Sequence, residues 1–134
     1  MPVTEEGYVI ALPESERTLS AVSFTIRPET ATVFGFHLAS PAADSLFTVS
    51  YDLVSQQVRV GGSGVTSAFT RAHPLVNNAL HLQLVWSSDA AALTVDGAAH
   101  HLKLTEPVPA ATTPSFFADA GMVQVTHFSA WYAD

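Results

Sequence analysis

His100 and His101 stand side by side in a chain with six histidines, twelve Asp and Glu, five Lys and Arg, and no cysteine among its 134 residues. Neutral imidazole is a common metal ligand, so the pair raises the question of a metal centre. Alternation argues against one. Neighbours on a strand point to opposite faces, so these two rings cannot hold one ion unless a bulge or turn intervenes. His81 and His101 can share an outer face, but the sequence places no third ligand beside them. No metal ligand and no cofactor are assigned. The absence of cysteine removes disulfides, zinc–thiolate sites and thiol nucleophiles together.

Catalytic patterns fare no better. There is no Gly-x-Ser-x-Gly elbow to expose a serine nucleophile, and no recognisable oxyanion turn. Cleavage of a glycoside needs two carboxyl groups about 5 to 10 Å apart in a cleft. Most acids here, Glu5, Glu6, Glu14, Glu16, Asp89 and Asp96 among them, fall near the N-terminus or in turns, where they serve solubility and turn chemistry. Gly61-Gly62-Ser63-Gly64 has the glycines of an anion-binding nest. It lies between two strands rather than before a helix and lacks a following lysine, so it reads as a hairpin loop. No catalytic residue is assigned.

Binding chemistry is better supplied. A sugar site needs a flat ring for the apolar face of the sugar and a few polar groups to fix its orientation. Phe24, Phe34, Phe36, Phe47 and Trp86 share parity with aliphatic residues and are expected in the core. Trp131 and Tyr132 are neighbours of opposite parity, so one of them should look outward. Arg59, Arg71, His81, Asp96 and Trp131 are the exposed residues left as carbohydrate-binding candidates.

The elements that position them follow from a hydrophobic period of two. Val22, Phe24 and Ile26 alternate with Ser23, Thr25 and Arg27, as on a strand with one buried and one wet face. Phe34, Phe36 and Leu38 follow the same rule, as do Phe47, Val49, Tyr51 and Leu53. So do Val58 and Val60 around Arg59, then Leu80, Leu82, Leu84 and Trp86. Leu93 and Val95, Leu102 and Leu104, and the segment SFFADA continue it; MVQVTHFSAWYA has less regular parity. About ten or eleven short strands result, with no helix of two clear turns. Pro28-Glu29-Thr30, Ser40-Pro41, Ser87-Ser88-Asp89 and Asp96-Gly97 mark turns. The proline-rich segment 107–114 reads as a crossover between sheets. The expected architecture is all-β, a two-sheet antiparallel β-sandwich of jelly-roll or concanavalin A-like lectin type, with residues 1–134 as a single domain.

Composition sets outer bounds. Hydrophobic residues make up 48% of the chain and charged ones 13%, enough to build a core and not the profile of a disordered chain. A net charge of −7 repels phosphate backbones and anionic lipid, so nucleic acid and membrane are not expected partners. No run approaches the roughly 20 apolar residues of a membrane helix.

In order along the chain, LSAVSFTIRPETATVFGFHLA, FTVSYDLVSQQVRVGGSG, LHLQLVWSSDAAALTVDG and FFADAGMVQVTHFSAWYAD resemble the C-terminal β-sandwich of glycoside hydrolase family 32, the invertases, levanases and inulinases, and related fructan-binding modules. In that family the catalytic carboxylates belong to a separate N-terminal β-propeller, which does not fit in 134 residues. The resemblance thus implies a non-catalytic accessory module of a fructan- or sucrose-acting glycoside hydrolase, structural or carbohydrate-binding. Its implied partners are a glycan and a catalytic propeller, and its location extracellular if the parent enzyme is secreted. The alternative is a free-standing lectin-like domain that binds a glycan or a protein. A third reading is a small β-sandwich enzyme whose acids converge from loops.

Overall fold

The computed structural model describes residues 2–4, 6–9, 18–40, 43–62, 69–86, 90–104, 113–119 and 121–133. Its strands are β1 (Pro2–Val3), β2 (Tyr8–Val9), β3 (Thr18–Pro28), β4 (Val33–Ser40), β5 (Ala43–Asp52), β6 (Gln57–Gly61), β7 (Phe69–Ala72), β8 (Leu80–Trp86), β9 (Ala90–Val95), β10 (Ala98–Lys103), β11 (Thr113–Ala118) and β12 (Val123–Ala133). They form two six-stranded sheets. The first has the order β1-β12-β3-β8-β9-β10 and the second β2-β11-β4-β5-β6-β7. Every pairing between them is antiparallel. No helix occurs among the described residues.

The period of two produces this arrangement directly. Register sets Phe24 beside Leu82 and Leu82 beside Val95 in the first sheet. In the second it sets Phe116 beside Phe36, Phe36 beside Val49 and Val49 beside Val60. All seven are buried, and each large apolar side chain removed from water contributes roughly 1.5 to 3 kcal/mol. The sheets are joined at a cluster of rings: Phe24 lies 5.0 Å from Phe36 and 4.8 Å, edge-on, from Phe116. Phe34, Phe47 and Trp86 are also buried, as their parity requires.

The irregular parity of the last strand has a structural cause. Between Thr126 and Ser129, β12 carries an extra residue relative to β3, and His127 adopts a left-handed φ of 56° there. Val123 and Val125 face the core before this bulge. Phe128 takes over after it and packs on Phe24 and Phe116. A second irregularity, with Ser20 as the extra residue on β3, separates the pairs Trp131↔Ala21 and Tyr132↔Leu19. A one-residue slip exchanges the faces of everything beyond it.

Asp96 and Gly97 form a two-residue hairpin turn with φ of 47° and 89°, the conformation for which Asp-Gly is suited. Of segment 107–114, Thr113 and Pro114 belong to β11, and residues 107–112 lie outside the described residues. So do Ser63 and Gly64, Pro41, Ser87-Ser88-Asp89, and the acids Glu5, Glu14 and Glu16.

Candidate functional site

The outward face of the second sheet is assembled by register from strands far apart in sequence. One row crosses it as Phe117, Gly35, Ser50, Arg59 and Thr70. The next row is Ser115, His37, Thr48 and Gly61. Phe117 is outward because its neighbour Phe116 is committed to the core. At Gly35 a side chain would be excluded: a Cβ there would collide with the Val49 carbonyl and lie 2.8 Å from the Phe117 ring. The missing side chain lets the ring lie down on the sheet, which is the close approach that glycine inside a strand permits. The ring is further fixed by the His37 imidazole, stacked at 4.3 Å and 26°.

Polar groups surround this ring pair. His37 Nδ1 and Thr48 Oγ1 are 2.9 Å apart and hydrogen-bonded, and burial holds the imidazole pKa below its ordinary value. His37 is therefore an uncharged donor–acceptor near neutral pH. Ser50 and exposed Arg59 continue the row. With strands about 4.8 Å apart, the span from Phe117 to Arg59 is roughly 14 Å. Two described carboxylates at the end of this face are engaged: Asp52 Oδ1 accepts the amides of Val54 at 2.9 Å and Ser55 at 3.2 Å, and Asp119 accepts the Thr32 amide at 3.0 Å and hydroxyl at 2.6 Å. A half-exposed ring, hydroxyls, a neutral imidazole and a guanidinium are the groups needed to hold a polyhydroxylated ligand.

Of the residues singled out in the sequence, only Arg59 lies on this face. Trp131, 48% exposed, lies on the outward face of the first sheet. Register puts it in one row with Ala21, Val85, Ala92 and His101. His81 and Asp96 are neighbours at another place on that same sheet. Asp96 Oδ1 accepts the His81 amide at 2.9 Å, and its Oδ2 lies 2.6 Å from His73 Nε2. His81 Nδ1 is 2.8 Å from Thr25 Oγ1. Tyr51 Oη donates to the His73 carbonyl at 2.6 Å, and burial, with Asp96 and Asp52 nearby, pushes this phenol up. Asp96 thus ties the β9–β10 turn to the residues preceding β8. Arg71 is on β7, at the open edge between the sheets.

His100 and His101 do face opposite sides of the first sheet: His100 pairs with inward Leu93, and His101 with Ala92. His81 and His101 share the outward face without meeting, since His101 aligns through Ala92 with Val85, four residues or roughly 13 Å along β8 from His81. Among the described residues no three His, Asp or Glu gather as a metal cage. No helix among them is long and apolar enough to cross a membrane.

Phe117 and His37 are absent from the residues singled out by sequence. Two signals pointed to them: consecutive phenylalanines on one strand must take opposite faces, and Gly35 interrupts an otherwise bulky alternation.

Solved structures with the same arrangement of strands are known. Galectin LEC-6 of Caenorhabditis elegans matches with a TM-score of 0.64 and 16% identity, over 94% of this chain and 96% of that one. The structure of A. japonicus CB05 matches with a TM-score of 0.73 and 16% identity, over 99% of this chain and 25% of the other. The PL7 alginate lyase AlyA1 of Zobellia galactanivorans matches with a TM-score of 0.60 and 13% identity, over 87% of this chain and 62% of that one. The likeness is one of fold. No protein-family model and no curated protein sequence matches the chain.

Proposed function

We propose that this chain is a lectin-like module that holds a glycan on the outward face of the second sheet and performs no chemistry on it. The observation that carries this reading is the Phe117 ring laid over Gly35 and stacked on His37, in line with Ser50 and Arg59. One sugar unit of an oligosaccharide covers Phe117 with its C–H face, and hydroxyls of this and the following units reach Thr48, Ser50 and Arg59. Sharing a fold with a galectin and an alginate lyase supports a saccharide as the ligand class. The test is a glycan-array screen with the native chain, Phe117→Ala and Arg59→Ala. Retention of a glycan by the native chain and its loss in both variants, at unchanged folding, is the expected result. An array with no retained glycan, or retention untouched by both changes, rejects the reading.

A second reading, an accessory module of a longer fructan- or sucrose-acting glycoside hydrolase, is favoured by two observations. The A. japonicus CB05 match covers almost all of this chain but only 25% of the other. The outward face of the first sheet carries Trp131 and Val85, 48% and 43% exposed, in one row with Ala21 and Ala92. Such a strip suits the flank against which a catalytic propeller packs. The two readings use opposite faces. Self-association of the isolated chain that disappears in Trp131→Ser supports the second; a monomer at high concentration counts against it.

A further inference from the structure

The two sheets end side by side at β7 and β10, the outermost strands of the second and first sheet. Register turns Phe69 and Arg71 inward, beside Val60 and Val58, and turns His100 inward beside Leu93. Among the described residues no third strand closes the gap at the rim. An open groove of about 520 Å³ results, lined by Phe69, Arg71, His100, His101, Lys103 and the backbone between them. That volume lies within the range of small-ligand sites, roughly 300 to 1,000 Å³.

Its described lining is basic in composition where the molecule as a whole is acidic. The chain carries five Lys and Arg against twelve Asp and Glu, yet the groove lining contains two of those cations, two histidines and no described carboxylate. The Arg71 guanidinium lies 5.7 Å from the centroid of the Phe69 ring, and the His100 ring packs against the same phenyl group at 5.5 Å. Phe69 therefore serves as a shelf that restrains the Arg71 guanidinium at the groove. Backbone groups add to this. In the antiparallel ladder closed by the Asp96-Gly97 turn, alternate residues of β10 point their N–H and C=O away from β9. Ala99 and His101 are among them, and both line the groove.

We propose that this edge groove is a second binding site, for the carboxylate of an acidic saccharide such as a uronate. Arg71 receives the carboxylate in its fork, and the amides of Ala99 and His101, turned away from β9, meet ring hydroxyls. A peptide added as a further strand fits less well, because the histidine and lysine side chains of β10 and a β7 of only four residues blunt the edge against strand pairing. The site is separate from the outward face that holds Phe117, and neither proposal depends on the other.

The test is titration of the full chain with tri-galacturonate and with neutral galactotriose, followed by calorimetry and by backbone amide NMR. The expected result is saturable binding of tri-galacturonate at low salt, with shifts confined to Phe69, Arg71 and residues 99–103. High salt should weaken it, and Arg71→Gln should weaken it about tenfold at unchanged thermal stability. Galactotriose should leave the groove resonances unmoved. The proposal falls if tri-galacturonate does not bind, if its shifts map to Thr48, Ser50 and Arg59 instead, or if Arg71→Gln binds as the native chain does. It also falls if hexaglutamate moves the same resonances with equal affinity, which would mark an indiscriminate anion surface.

Discussion

Phe116 and Phe117 are adjacent, chemically identical and committed to opposite faces of one strand, so truncating each in turn tests the face assignment. Phe116 is buried and touches three rings, Phe24 at 4.8 Å, Phe36 at 5.5 Å and Phe128 at 5.9 Å. Phe116→Ala should cost about 3 to 5 kcal/mol, the lost transfer free energy plus the cavity left behind. With an unfolding entropy of about 2.1 cal/mol/K per residue, a chain of this length changes by roughly 0.28 kcal/mol/K, so Tm should fall by about 14 °C. Phe117 is half-exposed and supported from one side by Gly35 and His37. Phe117→Ala should cost only about 1 kcal/mol, or roughly 4 °C, and should abolish glycan retention. Urea unfolding and thermal circular dichroism give the stabilities; retention on the best glycan from the array gives the binding. Equal destabilisation by the two changes, or a loss below about 1 kcal/mol for Phe116→Ala, would refute the assignment of faces.

Trp131→Ala should leave stability within about 1 kcal/mol, because half of the ring is already in water; a larger loss by urea unfolding would show that the ring holds the end of β12 in place. Asp96→Ala should cost about 2 to 4 kcal/mol, since it removes the bonds to His81 and His73 and puts alanine at a left-handed φ of 47°. Asp96→Asn, which tolerates that φ, should recover part of the loss, and failure to do so would mean that the turn conformation contributes little. Acid stability reports on Asp119, whose pKa the Thr32 hydroxyl holds below its ordinary value through a 2.6 Å hydrogen bond. A carboxylate with a lowered folded-state pKa adds stability above its unfolded pKa and loses it as pH falls through the folded value. The deficit of Thr32→Val relative to the native chain should therefore be larger at neutral pH than below the lowered folded-state pKa of Asp119. An equal deficit at both would remove Asp119 from the account.

How far the sequence reached can be seen strand by strand. Leu80, Leu82, Leu84 and Trp86 all face inward because side-chain direction in a strand is a local property with a period of two. The same rule separates His100 from His101. Regularity was also its limit. In β12 the bulge at His127 reverses parity mid-strand, and the interrupted alternation of the sequence showed that something happens there without showing where. Arg59, Arg71, His81, Asp96 and Trp131 are each polar or amphipathic residues off the core rows of the sequence. Nothing local says that they divide among an outward face, an edge and the opposite face.

The amino-acid order by itself determined which side chains are hidden and that two sheets must hide them, because burying alternate apolar residues depends on a strand's own pattern and on having some partner. Only the tertiary structure decided which strands became neighbours and in what register. That brought Phe117 of β11 over Gly35 of β4 and Phe69 of β7 against His100 of β10. Those contacts depend on pairings between residues tens of positions apart, which are settled by how the whole set of strands closes.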